Sequence, residues 1–348
     1  MHGNSYCDMI KGEATVVKHT GSHYLLSQLP EWKLFPAVLR GKIRLKGSTA
    51  TNPVAVGDVV TFEADVPEGN RESDAADCVT LENPAAITSV MARKNYIIRK
   101  STNLSRQSHI IAANLDRAFI IATIDYPEIK LPFLDRLLVT CEVYNVPATI
   151  VLNKVDLYRE SHKEMLEAFH EIYEGAGYPV MEVSALTGEG VDALREACRG
   201  NVSLFSGVSG VGKSSLIKAL DPSLDPKVGE ISDVHLQGKH TTTFYEMYAL
   251  SYCSPEPASC HSEPVEESPG FIVDTPGLRG FGLVDLKKEE IALYFPEMLK
   301  VSEECRFAPC THTHEPGCAV KEAVEAGEIS YDRYSSYLGM LDEEGKYR

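Results

Sequence analysis

No apolar run in the sequence is long enough to cross a bilayer, and its first residues, MHGNSYCDMIKGE, lack the basic-then-apolar stretch that directs export. A cytoplasmic protein with no membrane partner is expected. Positive charge is scarce as well: 34 Lys and Arg stand against 50 Asp and Glu, a net of −16. Taken whole, that balance argues against a nucleic-acid partner, because phosphate contact needs local positive charge. Nine cysteines without an export signal read as thiols or metal ligands rather than disulfides. What is present, 348 residues with 43% hydrophobic and 24% charged content, suits two or three soluble domains.

The charge deficit is uneven. Residues 1–108 hold 13 basic against 11 acidic side chains, which leaves 21 against 39 for the remainder. The bases of the first segment concentrate in RGKIRLK (Arg40, Lys42, Arg44, Lys46) and RKNYIIRKSTNLSR (Arg93, Lys94, Arg99, Lys100, Arg106). Such stretches are either a solvated strand face or an RNA-facing patch.

Short β-rich runs with turn signals, ATVVKH, HYLLSQ, FPAVLRGKIRL, GDVVTFEAD and AITSVMARKNYIIRK, predict a small OB-type β-barrel, with VPEGNRESDAAD as a loop. From about residue 112 apolar strands alternate with helices: RAFIIATID, then LPFLDRLLVTCEVYN, PATIVLNKVD, ESHKEMLEAFHEIYEGAG, YPVMEVSAL, GVDALREAC and NVSLFSG. That rhythm predicts a parallel sheet covered by helices. FYEMYAL and GFIVDTPG predict two further strands. Between them SYCSPEPASCHSEPVEES reads as a flexible insertion, and its Cys253, Cys260 and His261 have no fourth metal ligand nearby.

GVSGVGKSS, comprising Gly207, Val208, Ser209, Gly210, Val211, Gly212, Lys213, Ser214 and Ser215, fits G-x-x-x-x-G-K-[ST] between a strand and a helix. Glycines let backbone N–H groups fold around a β-phosphate; Lys213 supplies a cation to the β/γ oxygens and Ser214 a hydroxyl to Mg²⁺. In FIVDTPG, Asp274 ends a strand where it can hold Mg²⁺ through water, and Gly277 can offer its N–H to a γ-phosphate. NKVD, comprising Asn153, Lys154, Val155 and Asp156, selects the base: a carboxylate accepts from both N1–H and the 2-amino group of guanine, which adenine cannot supply. Lys154 would lie along the base and Asn153 would tie the loop to the phosphate side. Ser184, Ala185 and Leu186 would complete the pocket.

The base motifs therefore precede the phosphate motifs, the reverse of a conventional GTP-binding domain. Domain termini often lie close together, so joining the old ends through REACRGNVSLF and opening new ones rebuilds the same site. The domain is read as a circular permutation. Downstream, CRFAPCTHTHEPGCAV places Cys305, Cys310 and Cys318 with either His312 or His314, a closed set suited to structural Zn²⁺.

A barrel head, the order NKVD, SAL, GVSGVGKSS, GKHTTT, DTPG and a C-x₄-C-x-H-x₅-C tail resemble the bacterial small-subunit-dependent GTPase family known as RsgA or YjeQ, over nearly the whole chain. The resemblance implies a monomeric GTPase that binds the small ribosomal subunit and its rRNA late in maturation, hydrolysis being stimulated by the subunit. It implies a multidomain chain: an N-terminal OB-type β-barrel over 1–108, a central circularly permuted α/β P-loop GTPase domain over 109–284, and a mainly helical zinc-binding domain over 285–348. It also favours His312 over His314 as the zinc ligand. Leu278 stands where Ras-type enzymes carry the glutamine that orients water. His240 is the nearest candidate for that task, Thr242 a candidate Mg²⁺ hydroxyl, and Lys213 and Gly277 the groups acting on the transferring phosphate. The rival reading is a GTP-gated RNA-binding switch in which hydrolysis is incidental.

Overall fold

A computed structural model describes residues 7–40, 53–67, 74–100, 108–224, 245–251, 269–275 and 286–346. The chain divides into two compact units, Met1–Asp116 with Ala197–Leu204 and Ser223–Pro276, and Arg117–Glu196 with Phe205–Pro222 and Gly277–Arg348.

In the first unit, β1 (Cys7–His19), β2 (His23–Ser27), β3 (Phe35–Leu39), β4 (Val59–Pro67) and β5 (Ala85–Val90) form a closed barrel. The strand order is β1-β2-β3-β5-β4, with β4 returning to β1; only β3–β5 is parallel. Alternating side chains point inward, so Val16, Leu26, Phe35, Phe62 and Ile87 form a dry centre. Phe35 and Phe62 meet at 5.1 Å between ring centroids. Asp74, in the segment expected to be a loop, accepts from Ala76 N and starts a single helical turn, α1 (Ala75–Cys78).

The run AITSVMARKNYIIRK is two strands rather than one. After β5 the chain turns, and Arg93 forms a bidentate pair with the fully buried Asp58, both N···O distances being 2.6 Å. Beyond the turn, β6 (Tyr96–Lys100) pairs with β7 (Ser108–Ala113) as a separate antiparallel ribbon. This reduces the basic patch: Arg93 is structural, Lys94 pairs with Asp116, and Arg40 pairs with Glu63. Lys42, Arg44, Lys46 and Arg106 lie outside the described residues.

In the second unit, β8 (Arg117–Ala122), α2 (Leu131–Val143), β9 (Ala148–Leu152), α3 (Val155–Tyr158), α4 (Lys163–Gly175), β10 (Val180–Glu182) and α5 (Val191–Cys198) follow the expected alternation. β8, β9 and β10 are parallel neighbours, and β11 (Val202–Gly207) enters this unit at Phe205, which packs on Phe119. β11 leads into α6 (Lys213–Leu220). β12 (Glu246–Ala249) and β13 (Phe271–Asp274) belong to the first unit and run antiparallel.

The tail holds α7 (Lys288–Ile291), α8 (Pro296–Ser302), α9 (Ala319–Glu325) and α10 (Tyr331–Lys346). It packs against α2, burying Ile291, Phe295, Met298, Val320 and Tyr337 around Val139. Inside this contact, Arg333 donates to Glu297 at 2.7 Å and to Asp135 of α2 at 2.7 Å, and stacks 4.7 Å from the centroid of Phe295. Burial disfavours the guanidinium, but the two carboxylates outweigh it and hold its pKa above the ordinary value. Among the described residues no helix is long and apolar enough to cross a membrane.

Candidate nucleotide site and metal cluster

The loop between β11 and α6 is shaped by close approach. A Cβ on Gly207 would lie 2.5 Å from the Ile121 carbonyl oxygen, and Gly212, at φ 85°, would place one 2.5 Å from Asn153 Nδ2. Lys213 opens α6 and is buried, with Ser214 half-buried and Ser215 exposed behind it. The first amides of a helix have no intrahelical partner, so this loop presents donors to an anion.

Asn153 sits at the centre of the second unit's motif residues. Its Nδ2 donates to the Val211 carbonyl at 2.8 Å, and its Oδ1 accepts from Ala185 N at 3.1 Å. One buried amide thus joins the glycine loop, NKVD and SAL, segments separated by as many as 58 positions. Lys154 adopts a left-handed backbone, φ 65°, and its Nζ donates to Gly210 O and Tyr126 O, each at 2.6 Å. Asp156 is exposed, yet its Oδ1 accepts from Ser184 Oγ at 2.5 Å, so the carboxylate is held in one orientation. Val155 is buried at the start of α3, and Leu186 is 83% exposed.

The sequence carries no signal for the support around these groups. Tyr158 donates to the Asn153 carbonyl at 2.8 Å, and burial pushes its pKa up, so the hydroxyl remains a donor. Tyr126 holds the Lys154 ammonium through its backbone alone. In the first unit, Asp274 ends β13 as a buried residue and is followed by the fully buried Thr275. Val208, Ser209 and Gly210 complete the glycine loop; His240, Thr242, Gly277 and Leu278, like Cys253, Cys260 and His261, lie outside the described residues.

Gly212 gives a direct test. Gly212→Ala forces a side chain into a left-handed backbone and against Asn153, so the affinity for GTP should fall by at least about tenfold. Equilibrium dialysis with GTP measures it.

The ligand atoms of Cys305, Cys310, His312 and Cys318 lie within 4.8 Å of one another. Cys305 Sγ is 3.9 Å from Cys318 Sγ and 3.6 Å from His312 Nδ1, which is 3.3 Å from Cys318 Sγ. Atoms at corners about 2.1–2.3 Å from a tetrahedral centre have such separations, so the cluster fits a zinc ion. His314 is exposed and its Nδ1 engages Thr313 Oγ1, which separates it from the cluster. Burial lowers the His312 pKa and keeps the imidazole neutral; burial also pushes the Cys310 thiol up to about 12 when no ion is bound.

The ligand loop is held from outside by α10. Tyr334 donates to the His312 carbonyl at 2.6 Å and Tyr337 to that of Thr311 at 2.7 Å. The Glu315 carboxylate accepts from Thr311 Oγ1 at 2.6 Å and from the amides of Thr311 and Thr313. Burial opposes its charge, but these donors hold its pKa well below the usual carboxylate range.

Similarity to known proteins extends across this arrangement. The family model for the RsgA GTPase matches residues 90–284. The small ribosomal subunit biogenesis GTPase RsgA of Bacteroides fragilis is 48% identical over 335 residues, covering 96% of this chain and 98% of that one. Among solved structures, YjeQ from Thermotoga maritima superposes with a TM-score of 0.72 at 30% identity, covering 97% of this chain and 100% of that one. YloQ, a circularly permuted GTPase, superposes at 0.66 and 23% identity, covering 100% and 98%, and supports the fold. With its family model matched over more than half its length and a curated relative nearly half identical from end to end, the chain belongs to the RsgA GTPase family.

Proposed function

We propose that the protein is a cytoplasmic, monomeric GTPase that binds the small ribosomal subunit, assists its late maturation, and hydrolyses GTP to GDP and phosphate under stimulation by the subunit. The observation that carries this reading is the buried Asn153 amide bonding both the glycine loop and SAL, contacts that support a guanine-nucleotide site built from motifs in permuted order. Its three working parts are residues 1–108, which meet rRNA, residues 109–284, which turn over GTP, and residues 285–348, which carry zinc.

Asp156 accepts from the guanine edge, Lys154 lies along the base, and the amides of Gly207–Ser215 cradle the phosphates. Ser214, Thr242 and, through water, Asp274 would hold Mg²⁺, which supplies charge neutralisation at the β- and γ-oxygens. Lys213 and the Gly277 amide stabilise charge on the transferring group, and His240 orients the attacking water. The reading is tested by pelleting the protein with purified small subunits. Retention with a non-hydrolysable GTP analogue and release with GDP are expected; equal retention on large subunits would refute it.

Cys305, Cys310, His312 and Cys318 would hold one structural zinc, a closed set with no position for reacting water. Elemental analysis should find one zinc per chain, and Cys318→Ser should lose it together with much of the tail's thermal stability, since structural metal binding is folding energy. Full metal content in Cys318→Ser would remove that ligand assignment.

A further inference from the structure

A row of three charged side chains crosses from the barrel to the strand that carries Asp274. Lys18 of β1 is the register partner of Glu246 on β12, and Glu246 is the register partner of Asp274 on β13. Partners in antiparallel strands project from the same face, so Glu246 and Asp274 are neighbours on one face of the ladder. Like charges so placed repel, and Lys18 Nζ answers Glu246 Oε1 at 2.7 Å.

The barrel is modified to deliver this lysine. Along β1 the ladder with β2 shifts register between Val16 and Lys18. Bulges of this kind bend a strand and re-aim its side chains. Before the shift β1 pairs with β4 as far as Thr15↔Val59; after it, Lys18 pairs with Leu25 on one edge and Glu246 on the other. The pair is partly shielded, with side-chain exposures of 26% and 30%, which leaves its field less screened than at an open surface.

We infer that Lys18 and Glu246 are positioning residues for the metal-binding carboxylate: the barrel lysine neutralises Glu246, and thereby sets the charge beside Asp274 on which Mg²⁺ affinity depends. The inference rests on the proposed role of Asp274. Its sign follows from charge. Removing Lys18 leaves the charge of Glu246 without its cation, which attracts Mg²⁺, whereas neutralising Glu246 leaves a lysine that repels it. A purely structural role would make both substitutions weaken binding.

The test is a Mg²⁺ titration of the dissociation rate of a fluorescent N-methylanthraniloyl-GDP from the full chain, with turnover measured alongside. Lys18→Met should lower the Mg²⁺ concentration for half-maximal slowing about three- to tenfold, and Glu246→Gln should raise it by a similar factor. The double variant should return near the parent value, as should Lys18→Arg. Shifts in the same direction for the two single variants, or none, with Asp274→Asn still abolishing the Mg²⁺ dependence, would overturn the inference and leave the assigned site intact. Unchanged Mg²⁺ dependence in Asp274→Asn would overturn both.

Discussion

Asp156→Asn should weaken GTP binding by roughly 3 kcal/mol, about 100-fold, and turn the site toward xanthosine triphosphate. In the proposed site the carboxylate would accept two donors from guanine, each a charge-assisted bond; an asparagine can accept one and must present its NH₂ to the other. Xanthine carries an oxygen where guanine carries the amino group, so the same NH₂ becomes complementary. The surrounding geometry supports a switch rather than a collapse. Ser184 Oγ holds one carboxylate oxygen, and the backbone of α3 is fixed by the buried Val155 and Tyr158. Competition of GTP and xanthosine triphosphate for the parent and variant checks the exchange. Equal loss of both nucleotides would show that Asp156 supports the loop instead of reading the base.

The second large effect concerns stability. Arg333→Ala should cost about 3–5 kcal/mol, because it leaves the buried carboxylates of Asp135 and Glu297 without their shared cation. The loss should not be confined to α10. Tyr334 and Tyr337 on that helix hold the carbonyls of the metal-ligand loop, so a chelator should extract metal faster from the variant. Adding Asp135→Asn should recover part of the stability, since one of the stranded charges is then gone. Denaturant melts of the single and double variants, with chelator kinetics, measure both. A near-neutral Arg333→Ala would mean that apolar packing of the tail on α2 suffices.

Legibility in the sequence followed the chemistry. Residue types that suit a nucleotide or a metal come at short, fixed spacing, so NKVD, the glycine loop and the Cys/His cluster stand out in the sequence. The resemblance separated His312 from His314, and the exposure of His314 agrees with it. Barrel strands are legible as short β-rich runs between turn signals, but the break after β5 is not, because the chain there is held by Arg93 pairing with Asp58, 35 positions away. Arg333 meets Asp135 across 198 positions, and nothing in either local sequence marks the pair. The same holds for Tyr158 and Tyr126, whose contributions run through backbone carbonyls that every residue possesses. The register that sets Lys18, Glu246 and Asp274 in one row depends on a bulge without a glycine, so no residue type marks it.

Circular permutation sets the base motifs ahead of the phosphate motifs in the chain. Its local consequence is already physical: Gly212 can have no side chain because Asn153, from a motif earlier in the chain, fills that space. The site works as one unit only if nucleotide turnover responds to the partner that the family's members are named for. The measurement that tests this most directly is GTP turnover by the full chain, alone and with purified small or large ribosomal subunits. Slow hydrolysis alone, a rise of about a hundredfold with small subunits, the scale contributed by one correctly placed group, and no rise with large subunits are expected. GTP binding with turnover indifferent to small subunits would show that the site does not answer to that partner.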